Sequence, residues 1–178
     1  MRTDRLQAAY EIEFQYTLFP LHPDTPDEGL TLEQLFAGRS FDIEAMQVRL
    51  AGLMVEEGLP YGQRTMTYNS RLAKELAKWA EDQGQGDAFH HAAFRAYFAD
   101  GKNIARMKNL LDIVISVSLD PDEARKSIEE RTYREAVDAD WLRARQLGIT
   151  AVPTFLFGEG RLVGAQPYEA LKQFVGQG

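Results

Sequence analysis

The sequence predicts an α/β fold with strands near both ends of the chain and helices between them. Residues 10–18 alternate strictly between apolar and polar side chains, which is the pattern of a strand with one buried face. Residues 152–163 contain a short apolar run, a Gly-Glu-Gly turn and a second short run, as in a β-hairpin. An α/β sandwich with a helical insertion explains this order better than a helix bundle does.

The composition is that of one ordinary globular domain. The chain has 178 residues, of which 44% are hydrophobic and 26% charged, and its net charge of −7 disfavours broad binding to nucleic acid. No segment approaches the roughly 20 apolar residues that cross a bilayer, and no signal peptide is predicted. The chain contains no cysteine, so residues 1–178 offer neither a disulfide nor a cysteine nucleophile.

Each further element has its own signal. Residues 2–9 have the pattern of a helix end, and three prolines in 20–26 end the strand. The Asp120-Pro121 pair predicts a helix start, and Gln166-Pro167 opens a last helix. Apolar residues recur at helical spacing in five other stretches, namely 43–54, 72–80, 89–97, 107–114 and 133–144.

Two C-terminal motifs make this sequence similar to a known family. Residues 148–157 read Gly-Ile-Thr-Ala-Val-Pro-Thr-Phe-Leu-Phe, and residues 164–168 read Gly-Ala-Gln-Pro-Tyr. They resemble the G-V-x-x-V-P-x-F and S-G-A-Q-P motifs of DsbA-like proteins of the FrnE type. Further stretches match the same family in order along nearly the whole chain: 19–23, 57–60 followed by Asn69, and 94–98.

This resemblance implies a thioredoxin-like fold with a helical domain inserted between the second and third core strands. Residues 1–29 and 148–178 would form the thioredoxin-like part of a single DsbA-like domain, and residues 30–147 the helical insertion. Residues 10–18 would be the second core strand. The family's first core strand and its C-x-x-C motif would lie before Met1, so we expect this chain to lack them.

The DsbA-like family that this sequence resembles consists of thiol-disulfide oxidoreductases. Its relatives include 2-hydroxychromene-2-carboxylate isomerases and kappa-class glutathione transferases. Because exchange needs a reactive thiolate and a resolving cysteine, we expect the present chain to be redox-inactive as it stands. Two alternatives are open. One is a glutathione-dependent isomerase or transferase of the kappa-like group, and the other is a non-catalytic module that binds an extended peptide.

The resemblance also indicates three substrate-binding residues, Val152, Pro153 and Asn69. It implies a cis bond before Pro153, although spacing alone indicates an ordinary trans proline, and it implies that Val152 pairs its backbone with bound substrate. Asn69 aligns with an asparagine near the ligand of the isomerase and kappa-class relatives, but capping of the following helix is the favoured role. We expect no catalytic residue, metal site or cofactor in this chain, with glutathione entering only under the alternative function.

The expected partners are protein or small thiol and disulfide substrates, without nucleic acid or membrane. We expect a cytoplasmic protein, as is usual for FrnE-like proteins. Without the first core strand, residues 10–18 and 153–157 would each leave an unpaired sheet edge. Such edges can pair with a second copy of the chain, so they predict a homo-oligomer.

Overall fold

Every predicted helical stretch forms a helix in the computed structural model, which describes residues 2–40 and 42–176. The helices are α1 (Arg2–Ala9), α2 (Leu32–Leu35), α3 (Ile43–Glu56), α4 (Arg71–Asp82), α5 (Gly86–Phe98), α6 (Met107–Ser116), α7 (Pro121–Glu129), α8 (Arg134–Gln146) and α9 (Tyr168–Val175). The strands are β1 (Leu30–Thr31), β2 (Met66–Thr67), β3 (Thr154–Phe157) and β4 (Gly160–Val163). No helix in the described ranges is long and apolar enough to span a membrane.

The chain divides into two compact units. The terminal unit comprises Met1–Leu21 and Ala139–Gly178, and the helical unit comprises His22–Asp138. The sequence places this division at residues 30 and 147, so the helical unit begins and ends somewhat earlier than predicted. The organisation as one domain with an insertion remains a prediction.

Four helices enclose the core of the helical unit. α4 contacts α5 and α7, and α6 contacts the same two helices. The apolar stripes read from the sequence face inward, and each fully buried side chain contributes about 1.5–3 kcal/mol through removal from water. The largest of these side chains are Leu76, Phe89, Leu110 and Val114.

The prediction of a strand over residues 10–18 is wrong in one respect. The apolar residues of this segment are half-buried and its polar residues are exposed, so the predicted alternation of faces is present. No strand of the described chain pairs with it, however, and the Leu18 N–H donates to the Asp140 carboxylate at 2.9 Å. Side-chain periodicity determines which face is buried, but a strand also needs a hydrogen-bonded neighbour.

The described strands form two antiparallel pairs. The β3–β4 hairpin confirms the prediction, with Phe155 opposite Leu162, and its edge-to-face contact between Phe157 and Phe174 packs it against α9. The β1–β2 pair was not predicted. Each of its strands has two residues, which is too short for an alternating pattern to be visible in a sequence.

Candidate substrate-binding site

A helix end fixes the start of the loop that carries Val152 and Pro153. α8 is followed by Gly148, whose φ of +62° is a conformation that side chains rarely adopt. The Gly148 N–H donates to the carbonyl oxygen of Arg145 at 2.9 Å and closes the last helical turn. Glycine at this position therefore sets the direction in which the loop leaves the helix.

Two hydrogen bonds connect this loop to the β3–β4 hairpin. The Gly164 N–H donates to the carbonyl oxygen of Pro153 at 2.7 Å, just beyond the end of the ladder. The Arg161 guanidinium, on β4, donates to the carbonyl oxygen of Leu147. The loop is thus held at both of its ends within the terminal unit.

Val152 has a free backbone in this loop. Its side chain is 43% exposed, and its N–H and C=O make no hydrogen bond with any residue of 2–40 or 42–176. The Val152–Pro153 peptide bond is cis. One exposed residue with both main-chain groups unpaired can form hydrogen bonds with an extended peptide.

Asn69 lies in the helical unit, where both ends of its side-chain amide are engaged. The Asn69 Oδ1 accepts from the N–H of Arg71 at 2.8 Å, at the first residue of α4. The Asn69 Nδ2 donates to the carbonyl oxygen of the buried Thr25 at 2.8 Å. The amide therefore organises the start of α4, and ligand binding by Asn69 remains a prediction.

His90 and His91 do not form a metal-binding site in the described part of the chain. His90 and His91 are neighbours on α5 with ring centroids 6.3 Å apart, and burial, followed by the charge of His91, lowers the pKa of His90. Within the described part of the chain, no group of three or more His, Asp or Glu side chains could hold a metal ion.

Two arginine-centred features of the helical unit were not predicted from the sequence. Glu75 is buried between Arg71 and Arg131, and the spacing of four residues from Arg71 on one helix was an available signal. Arg64 lies over the ring of Tyr97 with 5.0 Å to the ring centroid. No local pattern indicates that contact, because the two residues are brought together by the fold.

Comparisons with known proteins agree with this architecture. The chain is similar to a probable DsbA oxidoreductase of Streptomyces coelicolor, with 27% identity, a TM-score of 0.90, and coverage of 99% of this chain and 81% of that one. A putative protein disulfide isomerase of Nitrosomonas europaea shares the fold, with 15% identity, a TM-score of 0.65, and coverage of 84% of this chain and 75% of that one.

A sequence relative is the YwbO protein of Bacillus subtilis strain 168. It is 30% identical to this chain over 105 residues, which are 58% of the chain. The matched region spans about half of the relative, 52% of its length.

The family model for the DSBA-like thioredoxin domain matches residues 1–176. The match includes the half-buried alternating segment, the helical unit and the C-terminal hairpin, so it covers the elements that hold the Val152 loop as well as those around Asn69. The fold comparison extends over the same residues. The chain therefore belongs to the DSBA-like thioredoxin domain family.

Proposed function

We propose that this protein is a thiol-disulfide oxidoreductase of the FrnE type whose reactive cysteines lie outside residues 1–178. The exchange reaction begins when a thiolate attacks one sulfur of a disulfide and the other sulfur leaves as a thiolate. A second thiol then breaks the mixed disulfide. Residues 1–178 contain no cysteine, so they supply neither group and are redox-inactive by themselves.

The observation that carries this proposal is the free backbone of Val152. A polypeptide substrate in extended conformation can donate a hydrogen bond to the Val152 C=O and accept one from the Val152 N–H. These two bonds would fix the position of the substrate backbone, and therefore of its disulfide, relative to the Val152 loop. The description of the Streptomyces coelicolor relative as a probable DsbA oxidoreductase supports the reaction class. Asn69 is a second proposed substrate contact. Its side-chain amide bonds to Thr25 and Arg71, which leaves one N–H and one oxygen lone pair available for a substrate.

A non-catalytic peptide-binding module is the second candidate function. It rests on the same Val152 backbone and needs no thiol, which fits a chain without cysteine. In this case residues 1–178 would bind an extended peptide as well as any longer form does.

Reduction of insulin disulfides by dithiothreitol separates these functions. We expect no acceleration by the 178-residue chain and clear acceleration by the product of the same reading frame extended upstream through a C-x-x-C. An extended frame that encodes no cysteine, or an extended protein without activity, contradicts the proposal. Tight glutathione binding by that inactive protein would indicate the kappa-like function.

Peptide binding is tested on the 178-residue chain itself. We expect the amide signal of Val152 to shift in nuclear magnetic resonance spectra on addition of S-alkylated insulin B chain. The amide of Gly164 serves as control, because it already donates to Pro153. Equal shifts at the two amides would count against a specific contact at Val152.

We also propose a cytoplasmic location, on the resemblance to FrnE-like proteins. Fractionation of the source cells, with antibodies against the C-terminal helix, tests it. Recovery of the protein outside the cytoplasmic fraction would refute this location without affecting the proposed chemistry.

A further inference from the structure

Arg64, in the helical unit, has a guanidinium group without an acceptor. No hydrogen bond or ion pair joins its side chain to any residue of the described ranges, and its Nε is buried. A buried donor without a hydrogen-bond partner destabilises the fold, because it has lost its hydrogen bonds to water. The structure around this residue therefore leaves a hydrogen-bonding capacity that another molecule can use.

The backbone around Arg64 is firmly placed. The Gly62 N–H donates to the carbonyl oxygen of Phe98 at 2.9 Å, and a side chain at Gly62 would overlap the carbonyl oxygen of Ala99. The Arg64 N–H donates to the Gln47 side chain, on α3, at 3.1 Å. Arg64 is thus held between the end of α5 and the side of α3, so its unpaired guanidinium does not result from a loose loop.

Aromatic rings support the guanidinium on one side. Its central carbon lies 5.0 Å from the ring centroid of Tyr97 and 5.3 Å from that of Phe98. A hydrogen bond of 3.1 Å between the hydroxyls of Tyr97 and Thr67 fixes the Tyr97 ring. Stacking over aromatic faces holds an arginine in place while leaving its N–H donors available in the plane of the group.

A small cavity lies beside this arrangement. It has a volume of about 60 Å³ and is lined by Arg64, Met66, Tyr68 and Tyr97 among others. One water needs a cavity of roughly 10–15 Å³, so this cavity admits a group of a few heavy atoms and excludes a nucleotide or a sugar. Its walls combine one cation with the polar residues Gln63 and Thr65 and with the apolar and aromatic surface of Met66, Tyr68 and Tyr97.

Arg64 brings a positive charge to the cavity, although the whole chain carries a net charge of −7. Burial lowers the pKa of His22, and the positive charges of Arg39, Arg64 and Lys74 lower it further. Coulomb interactions weaken with distance, so these three cations lie close enough to His22 to act on it, and of the three Arg64 lines the cavity. A small anion entering the cavity would be attracted by the Arg64 guanidinium.

We propose that the cavity beside Arg64 binds the carboxylate group of a small organic acid or of a polypeptide C-terminus. The planar fork of a guanidinium matches the two oxygens of a carboxylate, and the aromatic and methionine walls suit one or two attached carbon atoms. Phosphate is disfavoured, because it is bulkier and finds no second arginine lining the cavity. This site is independent of the thiol-disulfide function proposed above.

Nuclear magnetic resonance titration of the 178-residue chain tests the site. We expect propionate to shift the Arg64 Nε–H and Met66 methyl signals saturably at millimolar concentration, and neutral propionamide to leave them unchanged. Arg64→Lys should weaken propionate binding at least tenfold, and Arg64→Gln should abolish it. The control Arg125→Lys, at an exposed arginine of α7, should bind as the wild type does.

A peptide pair distinguishes the two sources of the carboxylate. N-acetyl-Gly-Ala carries a free C-terminus, and its C-terminal amide does not. Stronger binding of this peptide than of propionate assigns a polypeptide C-terminus, and the reverse assigns a small acid. Equal shifts with propionamide, tighter binding of inorganic phosphate than of propionate, or unchanged binding by a folded Arg64→Gln protein would overturn the proposal.

Discussion

Glu75 has a buried carboxylate held by two arginines. Its side chain is 2% exposed, the Arg71 Nε donates to its Oε1 at 2.6 Å, and Arg131 donates to both of its oxygens at 2.7 and 2.8 Å. Burial alone would raise the pKa of Glu75, but the hydrogen bonds and charges of Arg131 and Arg71 outweigh it and lower that pKa below its ordinary value. The carboxylate thus joins the beginning of α4 to the end of α7.

We predict that Glu75→Gln lowers the free energy of unfolding by about 3 kcal/mol, the lower end of the range for breaking a buried pair. Arg131 would lose the counter-charge of Glu75, Arg71 would keep its pair with Asp138, and one amide cannot accept all of the hydrogen bonds that the two arginines donate. Urea denaturation of the 178-residue chain measures this loss. Glu81→Gln is the matched control, because the Glu81 carboxylate, which pairs with Lys78 on the same helix, is exposed and such a pair contributes less than about 1 kcal/mol.

Acidification should act through the same carboxylate. Because the folded-state pKa of Glu75 lies below its unfolded value of 4.5, the stabilisation is complete above pH 4.5 and is lost as the pH falls through the folded-state pKa. The difference in unfolding free energy between the wild type and Glu75→Gln should therefore shrink below pH 4.5. Urea titrations from pH 3 to 7 measure it, and a constant difference over that range would contradict this account.

Gly62 allows the segment before β2 to pack closely against the end of α5, because it has no side chain. We predict that Gly62→Ala destabilises the protein by about 1–3 kcal/mol, the usual cost of overpacking, because a side chain there would overlap the Ala99 carbonyl. Gly52→Ala is the control, since Gly52 lies inside α3 with open space around it and should gain up to about 1 kcal/mol. Thermal unfolding of both variants compares them, and a neutral Gly62→Ala would refute the close contact.

Residues 13–15 should be poorly protected from hydrogen exchange, although the segment to which they belong has a half-buried face. The amides of Glu13, Phe14 and Gln15 donate to no described residue, so we predict rapid hydrogen exchange for them in the 178-residue chain. The amide of Phe155, in the β3–β4 ladder, should exchange more slowly. Slow exchange across 13–15 would indicate a strand partner that the structure does not contain.

The sequence alone predicts elements that are stabilised locally. The Asp120 side chain accepts from the N–H groups of Asp122 and Glu123, so a capping signal four residues long was sufficient to locate α7. The β1–β2 pair depends on residues more than thirty positions apart, and the Arg64 cavity depends on α5 as well. Such features follow from tertiary contacts, which periodicity does not encode.

The candidate site was predicted by a different route. From spacing alone Pro153 indicates an ordinary proline, and only the resemblance to DsbA-like proteins indicated Val152 and Pro153 as a site. The unpaired backbone of Val152 is a property of the folded loop. It arises because Gly164 and Arg161 bind the carbonyl oxygens of Pro153 and Leu147 and leave the groups of Val152 without a partner in the described chain. Asn69 shows the converse case, because its contact with the N–H of Arg71 is local in sequence, although Ser70 is the N-cap residue of α4.

At the scale of the whole molecule, the hairpin of the terminal unit has an exposed apolar surface. Leu156 on β3 and Val163 on β4 are 45% and 47% exposed, and within the described chain β3 pairs with β4 alone. The other edge of β3 is therefore unpaired. Unpaired strand edges with apolar side chains pair readily with other chains.

We predict that the 178-residue chain forms a homodimer or larger oligomer through this edge of β3. Leu156→Lys should shift the equilibrium to monomer, because a charge beside the edge opposes strand pairing. Leu142→Lys is the matched control, since Leu142 is 50% exposed on α8 of the same unit and takes no part in the hairpin. Sedimentation velocity over a hundredfold range of concentration measures the change. A wild-type chain that stays monomeric throughout, or equal effects of the two lysines, would show that the β3 edge does not mediate self-association.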